Sequence, residues 1–277
     1  MKSILVPTDF SLCAHHAFDA AVKLARRFDS IIHLLSNIDI PINWTEWTAS
    51  EKAAHQKSRQ LIEKTEQLLK NAQEQYADID IRTHFRGGAL LEAVQSFAEQ
   101  HGTDLVVMGS HGASGKNEYF IGSNTQKVVR RLHCPVLVIK EPLESIDFDK
   151  VIFASNFHQN EKEAFLKFKQ FVSPFMPEIY LLEVHTSSLA DPPYILSKEA
   201  MADFAALGTP FKCKTIVHKD YSVDSGIRAF AEKIGAKLIG ISNHQRRPLK
   251  RMLVGSNVEA LVNHSDIPVL SIDYTEV

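Results

Sequence analysis

At 277 residues, with 44% hydrophobic and 23% charged residues, the sequence has the composition of a folded protein and the length for two domains, each able to bury a core. Its formal charge of −2 lacks the basic excess that generic binding to nucleic acid or anionic membrane needs. The three cysteines, Cys13, Cys134 and Cys213, stand too far apart for a disulfide framework and point to a reducing compartment.

The chain opens on Ser3 to Val6, a short apolar strand ending at Pro7. Three apolar residues before a proline are too few for a signal peptide, and no run approaches the roughly 20 residues of a membrane helix, so a cytoplasmic location is expected. Ala14, Ala17, Phe18, Ala21, Leu24, Ala25 and Phe28 follow at helical spacing. Ile31 to Leu35 is a second strand; after a loop holding Trp44 and Trp47, one long polar helix is expected from about Ala49 to Tyr76. Ile79 to Phe85 is a strand, Leu90 to Gln100 a helix, and Asp104 to Met108 a compact apolar strand. A glycine-rich loop leads to a helix from about Asn124 to Leu132, and Pro135 to Ile139 closes the unit as a fifth strand.

Five short apolar strands alternating with helices indicate a parallel sheet covered on both faces, and right-handed crossovers make it doubly wound. The same order recurs from Lys150: Val151 to Asn156 stands where Ile4 to Asp9 stood, and Ile179 to Glu183 matches the second strand. Gly122 and Gly255, and Cys134 and Ile267, are each separated by 133 residues. The domains are therefore expected at 1–141 and 147–277, with Glu141 to Ser145 as linker.

The chemistry is concentrated after the fourth strand, where Gly109, Gly112 and Gly122-Ser123 fall in a G-x2-G-x9-G-S pattern. Glycines let backbone N–H groups approach a phosphate, and Gly122-Ser123 stands where a helix begins, so its orphan amides and positive dipole end face the same anion. Ligands of doubly wound sheets bind beyond the carboxyl ends of the strands, where strand order reverses. The second copy keeps only Gly255-Ser256 in register, with Asn156 in place of the first-strand aspartate Asp9 and Ala154 in place of Pro7.

The glycine spacing, the segment Val6-Pro7-Thr8-Asp9-Phe10-Ser11 and the closing strand Cys134 to Ile139 together resemble the universal stress protein family. The resemblance spans almost the whole chain as two copies, strong in the motifs of the first and carried by fold rhythm in the second. It implies an α/β fold of two repeated doubly wound five-stranded parallel sheets, strand order 3-2-1-4-5, of the adenine nucleotide alpha hydrolase-like kind. It also implies a first domain that binds ATP with Mg²⁺. Backbone at Gly109, Gly112, Gly122 and Ser123 would then hold the phosphates, helped by the Ser123 hydroxyl, with Asn124 opening the helix and His111 within reach of phosphate. Pro7, Thr8 and Asp9 would line the nucleoside pocket, and backbone at Asn37 and Ile38 would edge the adenine. Family sequences often carry valine and an acidic residue there, whereas this chain has Ser36-Asn37-Ile38-Asp39. The last strands of the two copies, Val136 to Ile139 and Val269 to Ile272, would pair as in a fused dimer, and two chains would associate further.

The expected role is thus an ATP-binding stress-response or regulatory protein, with nucleotide in the first domain acting as a conformational or partner switch. The second domain would be structural or bind another anionic or lipid-like molecule, and Arg246, Arg247, Lys250 and Arg251 read as a solvated basic loop or an anion site. A slow ATP hydrolase or phosphotransferase is the alternative, for which the loop offers only His111 and Lys116; a scaffold without nucleotide is the third reading. No catalytic residue and no metal site are expected, since the histidines lack ligand spacing. Cys134 reads as a buried small hydrophobe, and Trp44 and Trp47 as packing residues.

Overall fold

The computed structural model describes residues 1–111, 122–186, 192–243 and 257–274. The first half runs β1 (Ser3–Thr8), α1 (Leu12–Phe28), β2 (Ile31–Asn37), α2 (Ala49–Ala54), α3 (Gln56–Glu74), β3 (Ile81–Arg86), α4 (Leu90–His101), β4 (Leu105–Gly109), α5 (Ser123–Arg131) and β5 (Val136–Ile139). The second runs β6 (Lys150–Ala154), α6 (Lys162–Val172), β7 (Glu178–His185), α7 (Tyr194–Leu207), β8 (Cys213–Lys219), α8 (Val223–Ile234), β9 (Leu238–Asn243), α9 (Asn257–His264) and β10 (Val269–Asp273).

Each half has the expected order 3-2-1-4-5 with parallel pairing, and the halves join into one ten-stranded sheet, β3-β2-β1-β4-β5-β10-β9-β6-β7-β8. The join is antiparallel, with Val138 opposite Val269, Leu137 opposite Leu270 and Val136 opposite Ser271. Strand alternation sends Ile4 and Val6 to one face of the sheet and Leu5 to the other. The first face is covered by α1, α3, α6 and α7, including Phe18, Leu24, Phe165, Phe168 and Phe204. The second is covered by α4, α5, α8 and α9 through Val94, Phe97, Val128, Phe230 and Leu261. Both apolar layers run across the join without interruption.

The join is also bridged above and below the sheet. On one face Phe28 stacks on Phe171 at 5.9 Å between ring centroids, while Arg27 donates to the Pro174 carbonyl and lies 5.6 Å from the Phe175 ring. On the other, the Arg130 guanidinium of α5 forms an ion pair with Glu259 of α9, a carboxylate that also accepts from Gln126 at 2.6 Å.

Local signals account for most helix ends. Ser11 caps α1, its hydroxyl accepting from the Ala14 N–H at 3.3 Å, and α4 and α8 both stop at left-handed glycines, Gly102 (φ 58°) and Gly235 (φ 67°). These two glycines are 133 residues apart, a further copy of the repeat. The single helix expected from Ala49 to Tyr76 is instead two: the chain breaks at His55 (φ −106°, ψ 65°), whose ring packs 4.7 Å from Trp47. Trp44 is buried with Ile40 and Ile62 in a small satellite cluster under α3, so the tryptophans are packing residues.

Candidate functional site

Strands β1 and β4 are paired only at Ile4 with Leu105 and Leu5 with Val106, and beyond that they part, while β1 continues along β2 as far as Thr8. Pro7, which has no N–H to donate, falls in the stretch that β4 does not pair. The parting opens a cleft of about 150 Å³ at the point where strand order reverses. Pockets for whole ligands usually measure roughly 300–1,000 Å³, so its walls enclose part of a nucleotide-sized molecule.

Pro7, Thr8 and Asp9 form one wall, Asn37 of β2 flanks them, and Gly109 and His111 lie across the cleft. Gly122, Ser123 and Asn124, at the start of α5, complete it. Nine of the expected site residues thus meet around one opening. Gly112, like Lys116 and the basic run 246–251, lies outside the described residues. Ile38 does not reach the cleft: its N–H donates to the Arg86 carbonyl at 2.9 Å and its side chain packs with the Trp44 cluster.

Each wall has its own physical basis. After Thr8 the backbone turns sharply at Phe10, a bulky residue held at φ 61°, with its N–H on the Thr8 hydroxyl at 3.0 Å. Asp9 within this turn accepts from the Ser11 N–H at 3.1 Å. Gly109 is required by packing as well as by any ligand, because a Cβ there would lie 2.9 Å from the carbonyl carbon and oxygen of Cys13. The Thr125 hydroxyl donates to the Gly109 carbonyl at 2.8 Å and ties α5 to the end of β4. The Gly122 N–H is engaged with the Ser110 carbonyl at 2.8 Å, so it shapes the loop rather than facing a ligand. No side chain caps α5, which leaves its first-turn amides, at Ser123 and Asn124, as the anion-seeking groups of the cleft.

Ser110 is buried, its hydroxyl 2.8 Å from Nδ1 of His111 and 3.6 Å from the Cys13 thiol. Asn37 donates through Nδ2 to the Gly88 carbonyl at 2.9 Å, and its Oδ1 is buried without a hydrogen-bond partner. Ala14, Leu90, Met108 and Thr125 also line the cleft and were not expected from sequence. Thr125 was within reach, as a hydroxyl two residues beyond the Gly-Ser pair; the other three are ordinary apolar residues that only the folded chain brings there.

The second half repeats the frame and fills the space. Phe157 has φ 56° with its N–H on the Ser155 hydroxyl at 2.9 Å, reproducing the turn at Phe10. Gly109 pairs with Ile139 and Ser242 with Ile272, so Ser242 holds the place of Gly109. Its hydroxyl donates to Glu161, a buried carboxylate that also accepts the His158 N–H at 2.8 Å. Glu161 lies four residues beyond Phe157, as Ala14 lies four beyond Phe10. A glycine and an alanine are thus replaced by a hydroxyl and a carboxylate bonded to each other.

Among the described residues no group of histidines, cysteines and carboxylates could hold a metal ion, and no helix is long and apolar enough to cross a membrane. His33, His84 and His101 do cluster beside Phe97, with His33 Nδ1 3.1 Å from His84 Nε2. Burial, then the positive neighbours His33, His101, Arg86 and Arg82, pull the His84 pKa down to about 4. Burial pushes the Cys134 thiol up to about 12, and it donates to the Thr103 carbonyl at 3.2 Å, as a structural thiol would.

The model of the universal stress protein family matches residues 1–140 and 176–272, most of both halves. The chain belongs to the universal stress protein family. A universal stress protein of Methanocaldococcus jannaschii is 28% identical over 147 residues, 51% of this chain and 83% of its own length. A second from the same organism is 26% identical over 157 residues, 50% of this chain and 94% of its own length. Such relatives have the length of one half; this is a tandem universal stress protein. A universal stress protein from Archaeoglobus fulgidus has the whole two-unit fold, with a TM-score of 0.75 at 19% identity over 98% of each chain. One described as putative from Pseudomonas aeruginosa gives 0.65 at 17% identity, covering 99% of this chain and 94% of its own.

Proposed function

We propose that this universal stress protein binds ATP, with Mg²⁺, in the cleft of its first half, and that occupancy switches its shape or its choice of partner. The observation that carries the reading is the convergence of the uncapped start of α5 with Pro7, Thr8, Asp9, Asn37 and Gly109 where β1 and β4 part. The Ser123 and Asn124 amides would take phosphate oxygens, with the Ser123 hydroxyl as a further donor. Pro7, Thr8 and Asp9 would border the nucleoside, and the unpartnered Asn37 Oδ1 supports a ligand bearing a donor there. Mg²⁺ would be held mainly by phosphate oxygens and water. His111 lies close enough to the α5 start to touch phosphate, its Nδ1 engaged with Ser110.

The same proposal takes residues 1–141 as the nucleotide unit, of adenine nucleotide alpha hydrolase-like type, and 147–277 as a unit that does not hold ATP. The Ser242–Glu161 bond supports the second part, since it occupies the space that Gly109 and Ala14 leave open in the first. A cytoplasmic location and a homodimer of whole chains belong to the proposal too, the latter tested by sedimentation.

The direct test is mass spectrometry of small molecules released when the purified protein is denatured. An adenine nucleotide should co-purify with the wild type and be absent from Gly122→Val. If neither releases nucleotide and excess ATP leaves the melting temperature unchanged, the proposal fails. A slow hydrolase or phosphotransferase has no observation of its own in its favour. Phosphate release near kinase rates, about 1–100 s⁻¹, would establish it.

A further inference from the structure

We propose that the Asn37 carboxamide reads the base in this cleft, accepting a hydrogen bond from an amine at the purine 6-position and discriminating against a 6-oxo purine. The inference rests on the nucleotide reading above and goes further, to the chemistry of the base.

Asn37 closes β2 opposite Arg86 of β3, and its side chain lines the cleft. An amide can present a donor or an acceptor to a ligand, depending on which way it is turned. Here the turn is fixed by chemistry: Nδ2 donates to the Gly88 carbonyl at 2.9 Å. Reversing the amide would set Oδ1 against that carbonyl oxygen, two acceptors with no proton between them.

The Gly88 carbonyl is itself held in place. Gly87 packs so closely beneath the chain that a Cβ would lie 2.4 Å from the Ile40 carbonyl oxygen and 2.9 Å from that of Pro41. Gly88 adopts φ 87°, a conformation glycine takes readily. The loop is therefore clamped, and the amide with it. Asn37 thus offers Oδ1, an acceptor with no donor of its own to share, buried and without a partner among the described residues.

A buried acceptor left unpaired favours any ligand that brings an N–H to it. A 6-amino purine does so. A 6-oxo purine brings a second acceptor, leaves Oδ1 unpaired and adds repulsion. A purine bearing only hydrogen at that position lacks the bond without the repulsion, so it should rank between them.

Calorimetry on the full chain with ATP, purine riboside 5′-triphosphate and inosine 5′-triphosphate tests this. The wild type should bind ATP about tenfold or more tightly than the inosine compound, with the unsubstituted purine between. In Asn37→Leu the three should fall within about twofold of one another, a spread of under about 0.5 kcal/mol. Because Asn37→Leu also loses the bond to Gly88, the wild-type ranking stands as a test that needs no variant. Equal wild-type affinities, with binding intact, would overturn this inference and leave the nucleotide proposal standing. Discrimination that survives in a folded Asn37→Leu would overturn it as well. If none of the three nucleotides binds, both proposals fall.

Discussion

The Gln126 side chain donates to Glu259 at 2.6 Å, joining two residues 133 positions apart. That separation is the repeat length itself, so the two hold equivalent places in the two halves. In a symmetric dimer a contact at such a place would pair a residue with its own copy. Two glutamates there would repel. This chain has glutamine on one side and glutamate on the other, with Arg130 supplying the counter-charge.

Arg130→Met should accordingly destabilise the protein, because Glu259 is buried and its nearest cation is lost. Arg130 is itself partly exposed, so the expected cost is about 1–3 kcal/mol, below that of a fully buried pair. The double variant Arg130→Met, Glu259→Met should recover most of it, since no buried charge remains. Urea unfolding of the two variants and the wild type measures the difference. A double variant no more stable than the single one would show that the ion pair is not the source.

Acid should weaken the first half through His84. Its pKa of about 4 in the folded chain lies below the unfolded value of about 6.5. Above that unfolded value the imidazole is neutral in both states and nothing is lost. As pH falls from there towards 4, the unfolded chain takes up a proton that the folded one refuses, and stability declines. His33, whose pKa is also lowered by burial and by His101 and Arg82, adds to the effect, with Asp80 opposing it. His84→Gln keeps a polar partner for His33 and should flatten the decline in urea midpoint between pH 7 and pH 5. An unchanged slope would count against this origin.

Gly109→Ala separates packing from ligand binding. Its new methyl meets the Cys13 backbone at 2.9 Å, and backbone yields less readily than the tip of a side chain. A loss of about 1–3 kcal/mol is expected, by the usual cost of overpacking. It should appear in the protein stripped of nucleotide, as a lowered melting temperature. A normal melting temperature with lost nucleotide binding would instead mark Gly109 as a ligand contact alone.

Calorimetry should find one adenine nucleotide per chain. Replacing Ser242 by glycine removes the donor to Glu161 and leaves a buried carboxylate oxygen short of a partner, at a cost of about 1–3 kcal/mol. It should not create a second site, because the Glu161 carboxylate stays where phosphate would have to approach. Two nucleotides per wild-type chain would contradict the assignment of the second half.

The fold was largely legible because its signals are local. The alternation of short apolar strands with helical periodicity, and the recurrence of Gly-Ser and of X-Pro-Val-Leu at one spacing, are patterns within a few residues. What escaped depends on contacts between distant segments. The break at His55 follows from Trp47 packing against its ring, which helical periodicity does not register. Ile38 turns away from the cleft because Arg86, on another strand, takes its N–H. The Gly122 amide was expected to face phosphate and instead meets Ser110, a partner twelve residues earlier that the spacing alone does not disclose. The loss of glycines in the second copy was visible, but the Ser242–Glu161 bond that takes up the room was not.

Strand β5 meets β10 of the same polypeptide, where separate subunits would have to find each other. Dilution cannot dissociate this pairing, and no exchange with foreign subunits can scramble it. A change in one copy, such as serine for glycine at 242, is inherited without being mirrored in the other. Covalent linkage thereby frees the halves to specialise, one retaining an open mouth while its twin becomes a fixed support.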